Sequence, residues 1–247
     1  MTVALTQVGK LYGVGVGPGD PELITLKAVR ILARAGVVAY FHKRGHQGHA
    51  RTIIGGHIAS GAEELPLEYP LTTEVPSQGE TYSTALTTFY DAAAETISTR
   101  LMQGRDVALT CEGDPFFYGS FMHIYHRLTG KHAIEVVPGI TGMQACWTQA
   151  GTPITYSDDV LQVLPGTLSE DALVERMRAA DALVIMKLGR NFAKVRRALT
   201  AAGLAQRAIY VERGSMAGEI VLKLSDKLDD IAPYFSMLLV PGRGRCL

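Results

Sequence analysis

Tyr12-Gly13-Val14-Gly15-Val16-Gly17-Pro18-Gly19-Asp20-Pro21-Glu22 constrains this chain more than any other stretch, because it joins a strand, a tight turn and a helix start in one short run. Val3 to Val16 is rich in β-branched and small residues, which predicts a strand. The alternating glycines then let the backbone turn sharply and approach a ligand without interference from a Cβ. Asp20 as N-cap and Pro21 at the first helical position predict a helix from this point. Leu23, Leu26, Val29 and Ile31-Leu32 would form its apolar face.

The same loop excludes several ligands. Counted from Gly13 or Gly15, the third glycine of G-x-G-x-x-G is missing, and Asp20 sits where a pyrophosphate would approach, which argues against NAD or FAD. There is no lysine followed by Ser or Thr to make a phosphate-binding P-loop. A glycine-proline loop ending in a carboxylate suits a ligand with little anionic charge, and taken alone it equally suits a plain strand-to-helix turn.

A length of 247 residues, 47% hydrophobic, leads us to expect two well-buried domains, 1–150 and 151–247, with the joint near Gly151-Thr152-Pro153-Ile154. Lys and Arg total 24 against 24 Asp and Glu, so no global field draws nucleic acid or an anionic membrane. No apolar run approaches the ~18 residues of a membrane span, and the N-terminus lacks a basic segment followed by a signal-peptide core. The expectation is a cytoplasmic protein. Cys111, Cys146 and Cys246 are odd in number and far apart, against both a disulfide framework and a zinc knuckle.

Along the first half, strands are predicted over 36–41, 106–111 and 135–137, each followed by a site-like loop. Glu68 to Gly79 reads as a loop leading into a helix from about Thr81 to Gln103, with Tyr82, Leu86, Phe89-Tyr90, Ala93, Ile97 and Leu101 on its buried side. Thr141 is placed to cap a following helix. The second half predicts strands over 160–164, 182–186, 208–211, 220–222 and 236–240, with helices over 170–178 and 192–202. The last strands have no long helix between them, so some antiparallel pairing is expected. The fold class is therefore α/β: two α/β domains in tandem, a mostly parallel N-terminal sheet and a mixed C-terminal one. In open α/β sheets ligands sit at the carboxyl ends of strands, which makes a cleft between the domains the expected site.

His42-Lys43-Arg44-Gly45-His46-Gln47-Gly48-His49-Ala50-Arg51 contains no acid. Its histidines match no closed metal-site spacing, and no protein-bound metal is expected. A solvated basic loop and an anion-binding loop for a polycarboxylate both fit, and Lys43, Arg44 and Arg51 are the candidate substrate-binding residues.

Three loops together resemble the tetrapyrrole methylase family over nearly the whole chain: Gly15-Val16-Gly17-Pro18-Gly19-Asp20-Pro21-Glu22, Glu112-Gly113-Asp114-Pro115-Phe116-Phe117-Tyr118-Gly119-Ser120, and Val137-Pro138-Gly139-Ile140-Thr141. Met186-Lys187-Leu188-Gly189-Arg190 and Tyr234-Phe235-Ser236 look like the branch that methylates C20 of precorrin-2, in metal-free or cobalt-loaded form. The resemblance implies two α/β domains with S-adenosylmethionine in the cleft, S-adenosylhomocysteine as product, a tetrapyrrole substrate on the way to cobalamin, and a homodimer. It places Pro18, Gly113, Asp114, Phe117, Thr141, Met186 and Gly214 against the cofactor, Gly214 standing where the family commonly has Ala. No catalytic residue follows from it. A same-superfamily methyltransferase acting on RNA or protein, and a cofactor-binding sensor without turnover, are the other readings.

Overall fold

The computed structural model describes residues 8–70 and 80–244, the side chains of Glu80 and Thr81 excepted. The expected strand residues 3–7, the loop over 71–79 and Cys246 lie outside the described residues. The chain separates into two compact units, dividing between Thr141 and Gly142.

The first unit is a parallel sheet. Its elements are β1 (Leu11–Gly15), α1 (Leu26–Leu32), β2 (Val37–His42), α2 (His49–Ile53), β3 (Glu63–Glu68), α3 (Glu80–Met102), β4 (Val107–Cys111), α4 (Phe121–Leu128) and β5 (Ile134–Val137). The strand order is β3-β2-β4-β1-β5, and every neighbouring pair is parallel. Such a sheet is covered on both faces, so its strands read as continuous apolar runs. Alternate residues part to opposite faces: Leu11, Val37, Val107 and Leu109 pack with Ile97 of α3 and Ile124 of α4. Tyr12, Val14, Val38 and Ala108 pack with Ile31 of α1 and Ile53 of α2.

Three details differ from the sequence reading. Asp20 does accept the Glu22 N–H at 2.9 Å, but it caps only a 3-10 turn over Pro21–Leu23. The α-helix starts at Leu26, with Thr25 Oγ1 capping the Ala28 N–H, so Leu26 is 73% exposed and Ala28 takes its place in the core. Second, the residues after His42 are not one loop, since His49–Ile53 is a helix that buries Ala50 and Ile53. Third, Glu68 closes an unexpected strand, β3. Its Glu63-Glu64-Leu65-Pro66 sequence has low strand propensity, and it survives at the sheet edge, where Pro66 can lack an N–H without breaking an inner ladder.

Glu135 on β5 anchors Lys10, before β1, and Lys27, on α1. These two ammonium groups pull its carboxyl down from 4.5 to about 2. A depressed carboxylate stabilises the fold fully above its unfolded value and loses that contribution as pH falls through its folded one. The difference in unfolding midpoint between the protein and Glu135→Gln should therefore be constant above about pH 5 and shrink between pH 4.5 and 2. A difference that persists unchanged at pH 2 would contradict the pairing. Because all three side chains are partly exposed, the effect is at most about 1 kcal/mol.

The second unit contains α5 (Gly142–Gln149), β6 (Leu161–Pro165), α6 (Glu170–Arg178), β7 (Ala182–Met186), α7 (Phe192–Ala201), β8 (Ile209–Glu212), β9 (Ile220–Lys223) and β10 (Ser236–Val240). Its order is β6-β7-β10-β8-β9, parallel for β6·β7 and antiparallel elsewhere, as expected for a mixed sheet. Leu173 and Met177 of α6 and Phe192 and Val195 of α7 cover one face, meeting Leu183 and Ile185. On the other face Cys146 of α5 packs with Val184, Val211 and Leu239. That packing is why α5 belongs to the second unit, where the sequence reading had put it in the first. No helix among the described residues is long and apolar enough to cross a membrane.

Candidate functional site

The topology of the first sheet singles out one place. The connection leaving β1 runs through α1 to β2, while the connection leaving β4 runs through α4 to β5 on the opposite face. β1 and β4 are neighbours, so their outgoing loops part and leave a crevice beyond their carboxyl ends. The glycine loop after β1 and the Glu112–Ser120 loop after β4 flank that crevice.

These loops are stitched together at backbone level. The Val16 N–H donates to Cys111 O at 2.9 Å and the Gly113 N–H to Gly17 O at 2.8 Å, extending the pairing as an isolated bridge. The Asp114 carboxylate accepts the Gly139 N–H at 3.1 Å and the Phe116 N–H at 2.9 Å, tying the loop after β5 to the loop after β4. Gly15, Gly113 and Gly139 meet face to face: a Cβ on Gly139 would lie 2.1 Å from Gly113 O, and one on Gly15 would lie 2.5 Å from Gly139 N. Pro18 and Gly113 are buried here, Asp114 and Phe117 half-buried, and Thr141 follows shortly after Gly139. The five first-unit residues assigned to the cofactor thus belong to one joined set of loops, with Asp114 already serving as their clamp.

In the second unit Met186 ends β7 and Gly214 follows β8, and β10 lies between, so these strands stand about 10 Å apart. The Gly166 N–H donates to Met186 O at 2.7 Å. Gly214 packs on α5: a Cβ there would lie 3.0 Å from Cys146 Sγ, and its N–H faces that thiol, which burial pushes up to about 12. Left-handed backbone at non-glycine residues marks the same loops. Tyr118 (φ 57°) follows Phe117, Lys187 (φ 57°) follows Met186, and Arg213 (φ 52°) and Ser215 (φ 62°) flank Gly214, leaving Ser157 as the case outside them among the described residues. Each such residue costs roughly 1–3 kcal/mol, a pattern that concentrates at ligand-binding loops.

The basic segment leaves β2 at the same sheet edge. Arg51 on α2 is held by Glu64 of β3 through Nε at 2.6 Å and Nη2 at 2.8 Å, and Tyr40 Oη donates to the same carboxylate at 3.1 Å. Exposed Arg44 reaches Glu68 at 3.2 Å. The His42 ring is engaged by the carbonyls of Lys43 and His46, while burial lowers the affinity of His49 for a proton. Among the described residues no three His, Cys, Asp or Glu side chains gather in a metal-holding group.

Sequence reasoning passed over Glu112. It stands directly after β4 beside the crevice, and its carboxyl is faced by the Ala50 N–H of α2. Burial pushes that carboxyl up to about 7. A glutamate placed immediately after an apolar strand was the available signal.

A parallel sheet with joined glycine loops at its switch point defines an α/β protein built to hold a small molecule at the carboxyl ends of its strands. The family of Tetrapyrrole (Corrin/Porphyrin) Methylases matches residues 10–230, and the chain belongs to that family. A Sinorhizobium sp. protein named precorrin-2 C(20)-methyltransferase is 52% identical over 235 residues, spanning 95% of this chain and 96% of its own. Among solved structures, a cobalamin biosynthetic enzyme, cobalt precorrin-4 methyltransferase, superposes with a TM-score of 0.72 at 23% identity, covering 94% of each chain. Uroporphyrin-III C-methyltransferase from Thermus thermophilus, complexed with S-adenosylhomocysteine, superposes with a TM-score of 0.63 at 23% identity over 94% of this chain and 92% of that one. At these identities the two structures speak for the fold.

Proposed function

We propose that this protein is an S-adenosylmethionine-dependent methyltransferase that methylates C20 of precorrin-2, giving precorrin-3A and S-adenosylhomocysteine in cobalamin biosynthesis. The observation that carries the reading is 52% identity, over almost the full length of both chains, to a protein of that name. The joined loops at the switch point agree with it: the close backbone packing of Gly15, Gly113 and Gly139 draws the loops after β1, β4 and β5 together at the carboxyl ends of the strands, where open α/β sheets take their ligands.

S-adenosylmethionine supplies the electrophilic methyl group. Pro18, Gly113, Asp114, Phe117 and Thr141 are proposed to hold it in the first unit, and Met186 and Gly214 are assigned to the same cofactor by the family resemblance. Phe117 and Met186 offer apolar surface to an adenosine, and the glycine loops offer backbone groups to its polar end. C20 of the reduced tetrapyrrole is electron-rich, so the protein needs mainly to align donor and acceptor, which can lower a barrier by roughly 7–11 kcal/mol. Lys43 and Arg44 are proposed to meet the substrate's carboxylates, with Arg51 joining them if Glu64 yields. An exposed pair such as Arg44–Glu68 is worth about 0.2–1 kcal/mol and exchanges readily for a substrate carboxylate.

The protein incubated with labelled donor and separate pools of precorrin-2, with and without cobalt, RNA and protein should transfer label to the tetrapyrrole. Label in RNA or protein alone would overturn the reading, and cofactor binding without transfer would make the chain a sensor. A homodimer is part of the proposal, twofold association being the commonest oligomer, and a sedimentation mass of 26.6 kDa at micromolar concentration would contradict it.

A further inference from the structure

We propose that Glu112 accepts the proton released from the methylated ring carbon, and so acts as the general base of the reaction. The inference rests on the C20-methylation reading above. In that reaction the ring carbon forms its bond to the methyl group with an electron pair from the conjugated ring, while the pair of the broken carbon–sulfur bond stays on sulfur. The carbon then carries both hydrogen and methyl. Breaking its C–H bond returns an electron pair to the ring, and the proton passes to a Glu112 carboxylate oxygen.

Several observations point to this side chain. It lies at the carboxyl end of β4, next to the crevice where β1 and β4 loops part. Its neighbours in the same loop are spent on structure: the Gly113 N–H is bonded to Gly17 O, and both Asp114 oxygens accept amides. Glu63, Glu64, Glu68 and Glu135 of the same unit are all matched to Arg or Lys. The influences on the Glu112 carboxyl are instead its burial and the Ala50 N–H, with no cation among them. A half-buried acid with no cationic partner, held by one backbone amide at the carboxyl end of a strand that borders the switch point, is a candidate for chemistry.

The charged groups around it leave it free to titrate. On α2, Arg51 is turned to Glu64, and burial together with Lys43 and His46 lowers the affinity of His49 for a proton. On its own strand and loop, Asp114 is held by amides, and the Cys111 thiol is pushed up by burial and by Glu112 itself. With its carboxyl raised to about 7, Glu112 is matched to proton transfer near neutral pH.

The test is Glu112→Gln assayed with S-adenosylmethionine and precorrin-2. We expect kcat to fall roughly 10²–10⁴-fold while calorimetric affinity for S-adenosylmethionine is unchanged. The wild-type rate should rise with pH through about 7, and the variant's profile should be flat. Substrate deuterated at C20 should show an isotope effect in the variant, and Glu112→Asp should recover part of the rate and the pH dependence. A Gln variant with wild-type kcat and pH profile would overturn the assignment, as would a variant whose only defect is cofactor affinity. Wild-type protein that makes no C20-methylated product would remove the reading on which the proposal rests, an outcome visible before any variant is compared.

Discussion

Gly139→Ala is expected to weaken S-adenosylmethionine binding by roughly 100-fold and to lower the thermal midpoint by several degrees. The added Cβ would sit 2.1 Å from Gly113 O and 2.9 Å from the Gly15 Cα, separations that real Cβ atoms do not adopt. All of these obstacles are backbone, so no flexible side-chain end can swing aside, and the loops after β1, β4 and β5 must separate. Overpacking in a tight site costs typically 1–3 kcal/mol, and every 1.4 kcal/mol is tenfold in affinity. Gly56→Ala is the control, since a Cβ there meets nothing within 4 Å. Calorimetry and a melting curve on both variants check the expectation. Gly139→Ala with unchanged affinity would show that the joined loops are not the cofactor's seat.

Asp114→Asn is expected to destabilise the protein even without cofactor, by roughly 1.5–3 kcal/mol for a lost charge-assisted hydrogen bond, and to weaken cofactor binding as a consequence. The two Asp114 oxygens accept the N–H groups of Gly139 and Phe116. An asparagine keeps one acceptor and turns an NH₂ toward the other amide, so two donors face each other. The alternative role, binding the cofactor's ammonium, gives a different signature: weaker binding with an unchanged melting point in the absence of ligand. Measuring both quantities on one variant separates the clamp from the ligand contact.

Much of this architecture can be read from residue order because local rules and tertiary packing agree there. Ala182–Met186 and Ser236–Val240 are short apolar strands buried by helices or neighbouring strands, and both fall where their composition puts them. The long helix Glu80–Met102 shows Tyr90, Ala93, Ile97 and Leu101 buried at the expected spacing. Reading fails where a distant partner decides. β3 is a strand because β2 and the sheet edge accept it, against the propensities of three glutamates and a proline. Arg51 looks like a free cation until Glu64 comes beside it, and the clamp that Asp114 makes between two loops is invisible until Gly139 is seen to donate to it. Glu112 is unremarkable in sequence because its environment depends on Ala50, which is remote along the chain.

The most direct measurement is the ¹³C NMR spectrum of the product formed from precorrin-2 and S-adenosylmethionine carrying a ¹³C-methyl group. One new methyl resonance coupled to C20 is the expected result. A label on any other carbon, or no enriched tetrapyrrole while the protein is folded and binds the donor, would contradict C20 methylation by this chain.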